Sequence, residues 1–332
     1  MTDRRTILAA AMAALAATAL AAPAAAQSKP DKVTVAYFLE WPTANQVAQM
    51  DKTYDEALGV PVEWRAFGNG NEMTQAMVSG DVDIAYSQGF VPFVVGVTNG
   101  APIKMVGVAV TYSDNDACIA RDDSGITKET AKQLEGKKVA TPIGNVTHYK
   151  LLKSMEVLGV DASKVELVQM NPADAAVALV RGDVPMACGF GGALDRMKTV
   201  GSPLMTGAEQ EAAGINTFDI VSVTDSFASE HPDLLRKFME VTAKADADYK
   251  ANPDAAYDKV SKASGMDLEA AKKTMGGFGF PDIATQKSEK MMGGSMQEAT
   301  KGVAEVMKAS GNMDKVLDDY SKFIDTSFLP ES

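Results

Sequence analysis

Histidine and cysteine are scarce in this 332-residue chain, at two of each. That scarcity excludes a Cys/His zinc cluster of the usual four-ligand kind. It also leaves few candidates for imidazole catalysis. Basic residues are few as well: 32 Lys and Arg stand against 44 Asp and Glu, a net charge of −12. A chain of that sign grips phosphate backbones poorly, so nucleic acid is not an expected partner. No stretch beyond residue 26 approaches 18 apolar residues, so the mature protein is expected to be soluble. What is present is ordinary: 46% hydrophobic and 23% charged residues argue for a folded chain and against disorder. The length allows one large or two medium domains.

The first 26 residues carry the three parts of an export signal. Arg4 and Arg5 precede an apolar run from Ile7 to Ala22, and Ala24 and Ala26 offer small residues before Gln27. Residues 1–26 are therefore expected to be removed, and the protein to reside in the periplasm. The Arg pair is compatible with either a Sec or a twin-arginine signal. Export places Cys118 and Cys188 in an oxidising compartment, where they form either a disulfide or two buried thiols.

Strand-like and helix-like runs alternate, which predicts an α/β fold. The periodicity predicts a strand over 32–37, a helix over 43–58, a strand from 60 to 66, a turn at 68–71, a helix over 72–79 and a strand over 81–86. The same order returns as a strand over 137–141, a helix over 147–158, a strand over 164–169, a helix opened by Asn171-Pro172 and a strand over 184–188. Val78-Ser79-Gly80-Asp81-Val82 echoes Val180-Arg181-Gly182-Asp183-Val184. Two similar lobes follow. The polar run from Thr111 to Asp116 reads as the outward crossing between them, and 217–223 as the returning strand. Helices are expected at 231–250, 253–263, 267–275, 286–308 and 313–323, packed on the first lobe. The expected division is 27–112 plus 219–332 for lobe one and 113–218 for lobe two.

Ligands of open α/β sheets bind at the carboxyl ends of strands. That rule selects the loops 38–43, 87–90, 142–148 and 189–192. Asn145, Thr147 and His148, with Gln88 and Gly89, offer helix-start and backbone donors to an oxyanion. Glu40, Trp41, Phe190 and Asp219 offer carboxylates and aromatic faces to a cation. His148 has no flanking nucleophile motif, and Gly189-Phe190-Gly191-Gly192 fits neither the dinucleotide fingerprint nor the P-loop. No catalytic, metal or cofactor set emerges from these residues.

Val33-Thr34-Val35-Ala36-Tyr37, Ser79-Gly80-Asp81-Val82, Thr147-His148-Tyr149, Arg181-Gly182-Asp183, Glu230-His231-Pro232 and Ala251-Asn252-Pro253-Asp254 carry a resemblance. The chain resembles periplasmic substrate-binding proteins of ABC importers, in the branch that includes taurine, alkanesulfonate, nitrate and thiamine-precursor binders. The resemblance implies a type II periplasmic binding protein fold, with two lobes around a central cleft and a two-segment hinge. It implies a monomer that closes on its ligand and delivers it to a membrane permease. In a taurine-like reading, Thr147 and His148 meet the sulfonate and Asp219 meets the ammonium group. The alternative ligand is another small cation or zwitterion, of quaternary ammonium, betaine or amidine type, against Trp41 and Phe190 with Glu40 as counter-charge. A more distant alternative is a pyrimidine-precursor enzyme on the same fold.

Overall fold

A computed structural model describes residues 29–331; the expected export signal lies outside them. The runs read as a duplicated unit form two five-stranded sheets of the same plan. In the first, β1 (Val33–Phe38) pairs in parallel with β2 (Val62–Phe67) and β3 (Ile84–Gly89). It is completed by β4 (Ile103–Tyr112). In the second, β5 (Asp116–Arg121) joins a parallel set in which β6 (Lys138–Thr141) lies between β7 (Glu166–Gln169) and β8 (Met186–Phe190). A short β9 (Gly201–Pro203) forms its edge. The returning strand, β10 (Thr217–Thr224), inserts antiparallel between β3 and β4 of the first sheet. The orders are β2-β1-β3-β10-β4 and β7-β6-β8-β5-β9.

The sequence echo is a structural one. Ala36 pairs with Ala85 in the first sheet, and Ala140 with Ala187 in the second. Gly80 and Gly182, at the same point of each unit, have φ of 82° and 83°. That left-handed turn is where glycine carries no steric penalty. The central strands are apolar on both faces because helices cover both, as parallel sheets require.

Several helical expectations change. The run 43–58 divides into Gln46–Met50 and Thr53–Leu58, with Lys52 between them at φ 57°. The break lets Tyr54 stack on Phe238 at 4.7 Å in the core. The run 286–308 divides into Ile283–Lys287 and Met296–Ala309. Gly293 and Gly294 fold so tightly there that a Cβ on either would meet a carbonyl oxygen at 2.3 or 2.7 Å. Residues 313–323 hold no α-helix, only a 3₁₀ turn at Ser321–Phe323. Tyr320 inserts instead, its hydroxyl 2.9 Å from Thr98 Oγ1. Helices Phe90–Thr98 and Gly191–Met197 follow β3 and β8 directly, taking in the last residues of the expected loops 87–90 and 189–192. The late helices Pro232–Ala251 and Asp254–Ser264 pack on the first-lobe helices, as expected. No described helix is long and apolar enough to cross a membrane.

Candidate functional site

The carboxyl ends of the central strands face each other across a cleft closed to about 20 Å³ of free space. Four aromatic side chains wall it: Phe38, Trp41, Tyr112 and Phe190. Trp41 is the hub, with ring centroids 5.2 Å from Tyr112 and 5.5 Å from Phe190, both edge-on. Edge-to-face packing of this kind fixes ring positions. Through Trp41 and Phe190 it joins rings of both lobes at the cavity wall.

Asp219, on the inserted strand β10, enters from lobe one and is 2% exposed. Its two oxygens are both engaged. The Tyr112 hydroxyl donates to Oδ1 at 2.7 Å, and Ser87 Oγ donates to Oδ2 at 2.8 Å. Ser87 in turn accepts from Trp41 Nε1 at 3.0 Å. Burial pushes the Asp219 carboxyl up to about 7, against the pull of the Tyr112 and Ser87 hydrogen bonds.

Asp116 enters from lobe two at the start of β5, in register with Phe190. It too is 2% exposed and pushed up to about 7 by burial, with the Lys150 ammonium acting in the opposite direction. The crossing 111–116 links β4 to β5 with Asp114 exposed, while two of its residues, Tyr112 and Asp116, line the cavity. Loop-like composition concealed both. A tyrosine and a carboxylate bracketing an inter-lobe crossing is the signal that could have exposed them.

The helix Val146–Val157 points its start at the same space. Asn145 precedes it without capping it; its Oδ1 accepts the backbone N–H of Gly70 in lobe one at 2.9 Å. That contact fixes the amide orientation and turns Nδ2 elsewhere, where it has no protein partner. Thr147 Oγ1 is likewise buried without a partner. Unmatched donors at a helix start, where backbone N–H groups add partial positive charge, suit an anion.

Of the residues expected at the site, Trp41, Gly89, Asn145, Thr147, Phe190 and Asp219 line the cavity. Three do not. Glu40 lies at the rim, where its carboxylate takes a two-pronged bond from Arg196 at 2.9 and 3.1 Å. Gly191 and Gly192 approach Glu40 so closely that a Cβ on Gly191 would meet its carbonyl at 2.1 Å. The glycine-rich run thus serves contact between lobes. Gln88 faces inward, donating to Thr74 Oγ1 at 2.6 Å and accepting from Ser222. His148 is fully buried behind the cavity wall; its Nδ1 accepts the Gly144 N–H at 3.1 Å, and burial lowers its pKa to about 4. The imidazole is neutral at neutral pH, with the proton on Nε2.

Cys118 and Cys188 sit opposite each other on β5 and β8 and are joined, with an S–S distance of 2.05 Å. The bond pins the two strands that present Asp116 and Phe190. Among the described residues no group of three or more His, Cys, Asp or Glu side chains could hold a metal ion.

Residues 44–256 match the family described as NMT1/THI5 like. The chain belongs to the NMT1/THI5-like family. The matched stretch holds every cavity residue except Phe38 and Trp41. The chain is 28% identical to the taurine-binding periplasmic protein of Escherichia coli (strain K12), over 91% of this chain and 94% of that protein. Its fold is similar to that of the alkanesulfonate-binding protein SsuA from Xanthomonas axonopodis pv. citri, solved bound to MOPS. The TM-score there is 0.71 at 17% identity, covering 87% of this chain and 97% of the other. The desulfurization enzyme DSZB is similar in fold as well, with a TM-score of 0.63 at 13% identity, covering 90% and 97%.

Proposed function

We propose that this chain is the exported, periplasmic binding component of an ABC importer. It captures taurine or a related small amine-bearing sulfonate by lobe closure and presents it to a membrane permease. One observation carries the reading. A single small cavity between the lobes holds a buried carboxylate, Asp219, and unmatched donors at a helix start, Asn145 Nδ2 and Thr147 Oγ1. A zwitterion with an ammonium at one end and an oxyanion at the other answers both. The name of the E. coli relative supports the same class.

Binding without turnover fits the side chains present. Both cysteines are joined to each other, so neither offers a thiolate nucleophile, and His148 stands outside the cavity. A second reading, a cation without any sulfonate, draws on the four aromatic walls and the carboxylates beside them.

A thermal-shift and calorimetry panel separates these readings. Taurine, hypotaurine, isethionate, glycine betaine, choline and acetamidine are compared on the purified mature chain. The expected result is a clear rise for taurine or hypotaurine, since ligand at 100 times Kd adds about 2.7 kcal/mol of stability. Choline or acetamidine binding tightly while every sulfonate fails establishes the second reading; no shift from any compound defeats both.

A further inference from the structure

We infer that Asp116 is a second ligand carboxylate, facing Asp219 from the opposite lobe, and that it makes the site select a cationic group with several N–H bonds over a fully alkylated one. The inference rests on the reading of an amine-bearing ligand and names what that amine must carry.

The two carboxylates differ in what already surrounds them. Asp219 has its hydrogen bonds from Tyr112 and Ser87 in place. Asp116 Oδ1 is buried, belongs to a side chain lining the cavity, and has no hydrogen-bond partner. Lys150 does not supply one. Its Nζ donates to the backbone carbonyls of Ser113, at 2.6 Å, and of Asp116 itself, and stays 3.9 Å from Asp116 Oδ1. The ammonium offsets part of the charge without saturating the oxygen.

A buried carboxylate oxygen without a donor is unfavourable unless a donor arrives with the ligand. The donor has to come from the cavity, the space this side chain lines. Asp219 stands on the same space from lobe one, so one group reaching both needs N–H bonds in two directions. A primary ammonium has three and an amidinium four. A trimethylammonium has none, and would satisfy the aromatic walls while leaving Asp116 Oδ1 bare. Both carboxyls are pushed up by burial to about 7, and a cation bound beside them favours the ionised form of each. Because the carboxylates belong to different lobes, a cation held by both also holds the cleft shut.

The test is a methylation series measured by calorimetry on wild type and on Asp116→Asn: taurine, N-methyltaurine, N,N-dimethyltaurine and N,N,N-trimethyltaurine, with isethionate as the amine-free control. Wild type should lose affinity at each step, reaching about 100-fold or more at the trimethyl compound. Asp116→Asn should bind taurine about 30-fold or more weakly, and change for trimethyltaurine and isethionate by under about threefold. The substitution leaves the backbone carbonyls that hold Lys150, and an unchanged circular dichroism spectrum checks the fold. Full-strength taurine binding by Asp116→Asn overturns the inference alone. An equal loss for taurine and isethionate also overturns it, assigning Asp116 a structural role. Failure of every member of the series to bind wild type overturns the amine-sulfonate reading, and the inference with it.

Discussion

The two lobes are built on one plan and prepared differently. Each has a central strand flanked by two parallel partners, the same left-handed glycine before the third strand, and an inserted antiparallel strand beside it. In lobe one the polar group at the cavity is satisfied before any ligand arrives: Asp219 accepts from Tyr112 and Ser87, and Ser87 from Trp41. In lobe two the cavity groups are unmatched: Asp116 Oδ1, Asn145 Nδ2 and Thr147 Oγ1 all lack partners. A second difference is covalent. Cys188 of lobe two stands where the repeat places Tyr86 in lobe one, and it is tied to Cys118. Lobe one is thus held in shape by hydrogen bonds around a buried charge, and lobe two by a disulfide around unmatched groups. The difference teaches that a duplicated scaffold leaves the site free to diverge, because strand pairing is set by backbone and the cavity by a few strand-end side chains.

The largest expected effect strikes the satisfied carboxylate of lobe one. Asp219→Asn should weaken an amine-bearing ligand by about 2–5 kcal/mol, the range for breaking a buried charge pair. Isethionate should lose far less, and equal losses measured by calorimetry would remove the assigned role. Next comes the covalent difference. Replacing both cysteines by alanine should lower stability by about 2–4 kcal/mol. Hydrogen exchange should show lost protection in β5 and β8 while β1 and β3 keep theirs. Equal loosening of both sheets would erase this part of the contrast between lobes.

A smaller effect per pH unit follows from the two buried carboxyls, both raised to about 7. The groups around them are Tyr112, Ser87, Trp41 and Lys150. In the ligand-free protein, an acid raised above its unfolded value adds stability fully present below about 4 and lost as pH rises through 7. A cationic ligand needs the ionised form. Its affinity should therefore fall as pH drops from 8 toward 5.5, by up to about tenfold per unit for each proton released. Isethionate affinity should show no such fall, and a flat profile for taurine would sink the prediction. The smallest effect belongs to the rim contact joining the lobes. Glu40→Ala removes a half-exposed ion pair with Arg196, so affinity should change by less than about 1 kcal/mol. A loss comparable to that of Asp219→Asn would restore Glu40 as a ligand counter-charge.

Much of the fold was legible in the amino-acid order. The repeated Gly-Asp turn, the alternation of strands and helices and the return through 217–223 all concern backbone, which local sequence specifies strongly. The broken helices were less so. Gly293-Gly294 costs a helix only modestly in propensity, so the apolar spacing around it read as continuous. Tyr320 obeyed helical spacing and was drawn into the core by its contact with Thr98 instead. At the site, Trp41, Gly89, Asn145, Thr147, Phe190 and Asp219 line the cavity because side chains converge at strand ends and helix starts. Glu40 and Gln88 met the same rule and pointed elsewhere, while Tyr112 and Asp116 resembled a linker.

By itself the sequence determined that there are two α/β lobes and which strand-end and helix-start loops converge beside the cleft. Periodicity and turn chemistry act within a few residues, and they suffice for that. Only the tertiary structure decided which polar groups are already matched and which are not. Whether a carboxylate meets a tyrosine, a lysine or an empty cavity depends on elements far apart in sequence, 107 residues for Asp219 and Tyr112 and 34 for Asp116 and Lys150. The cysteines make the same point. Their presence could be read from the chain, but their pairing required β5 and β8 to lie side by side in register.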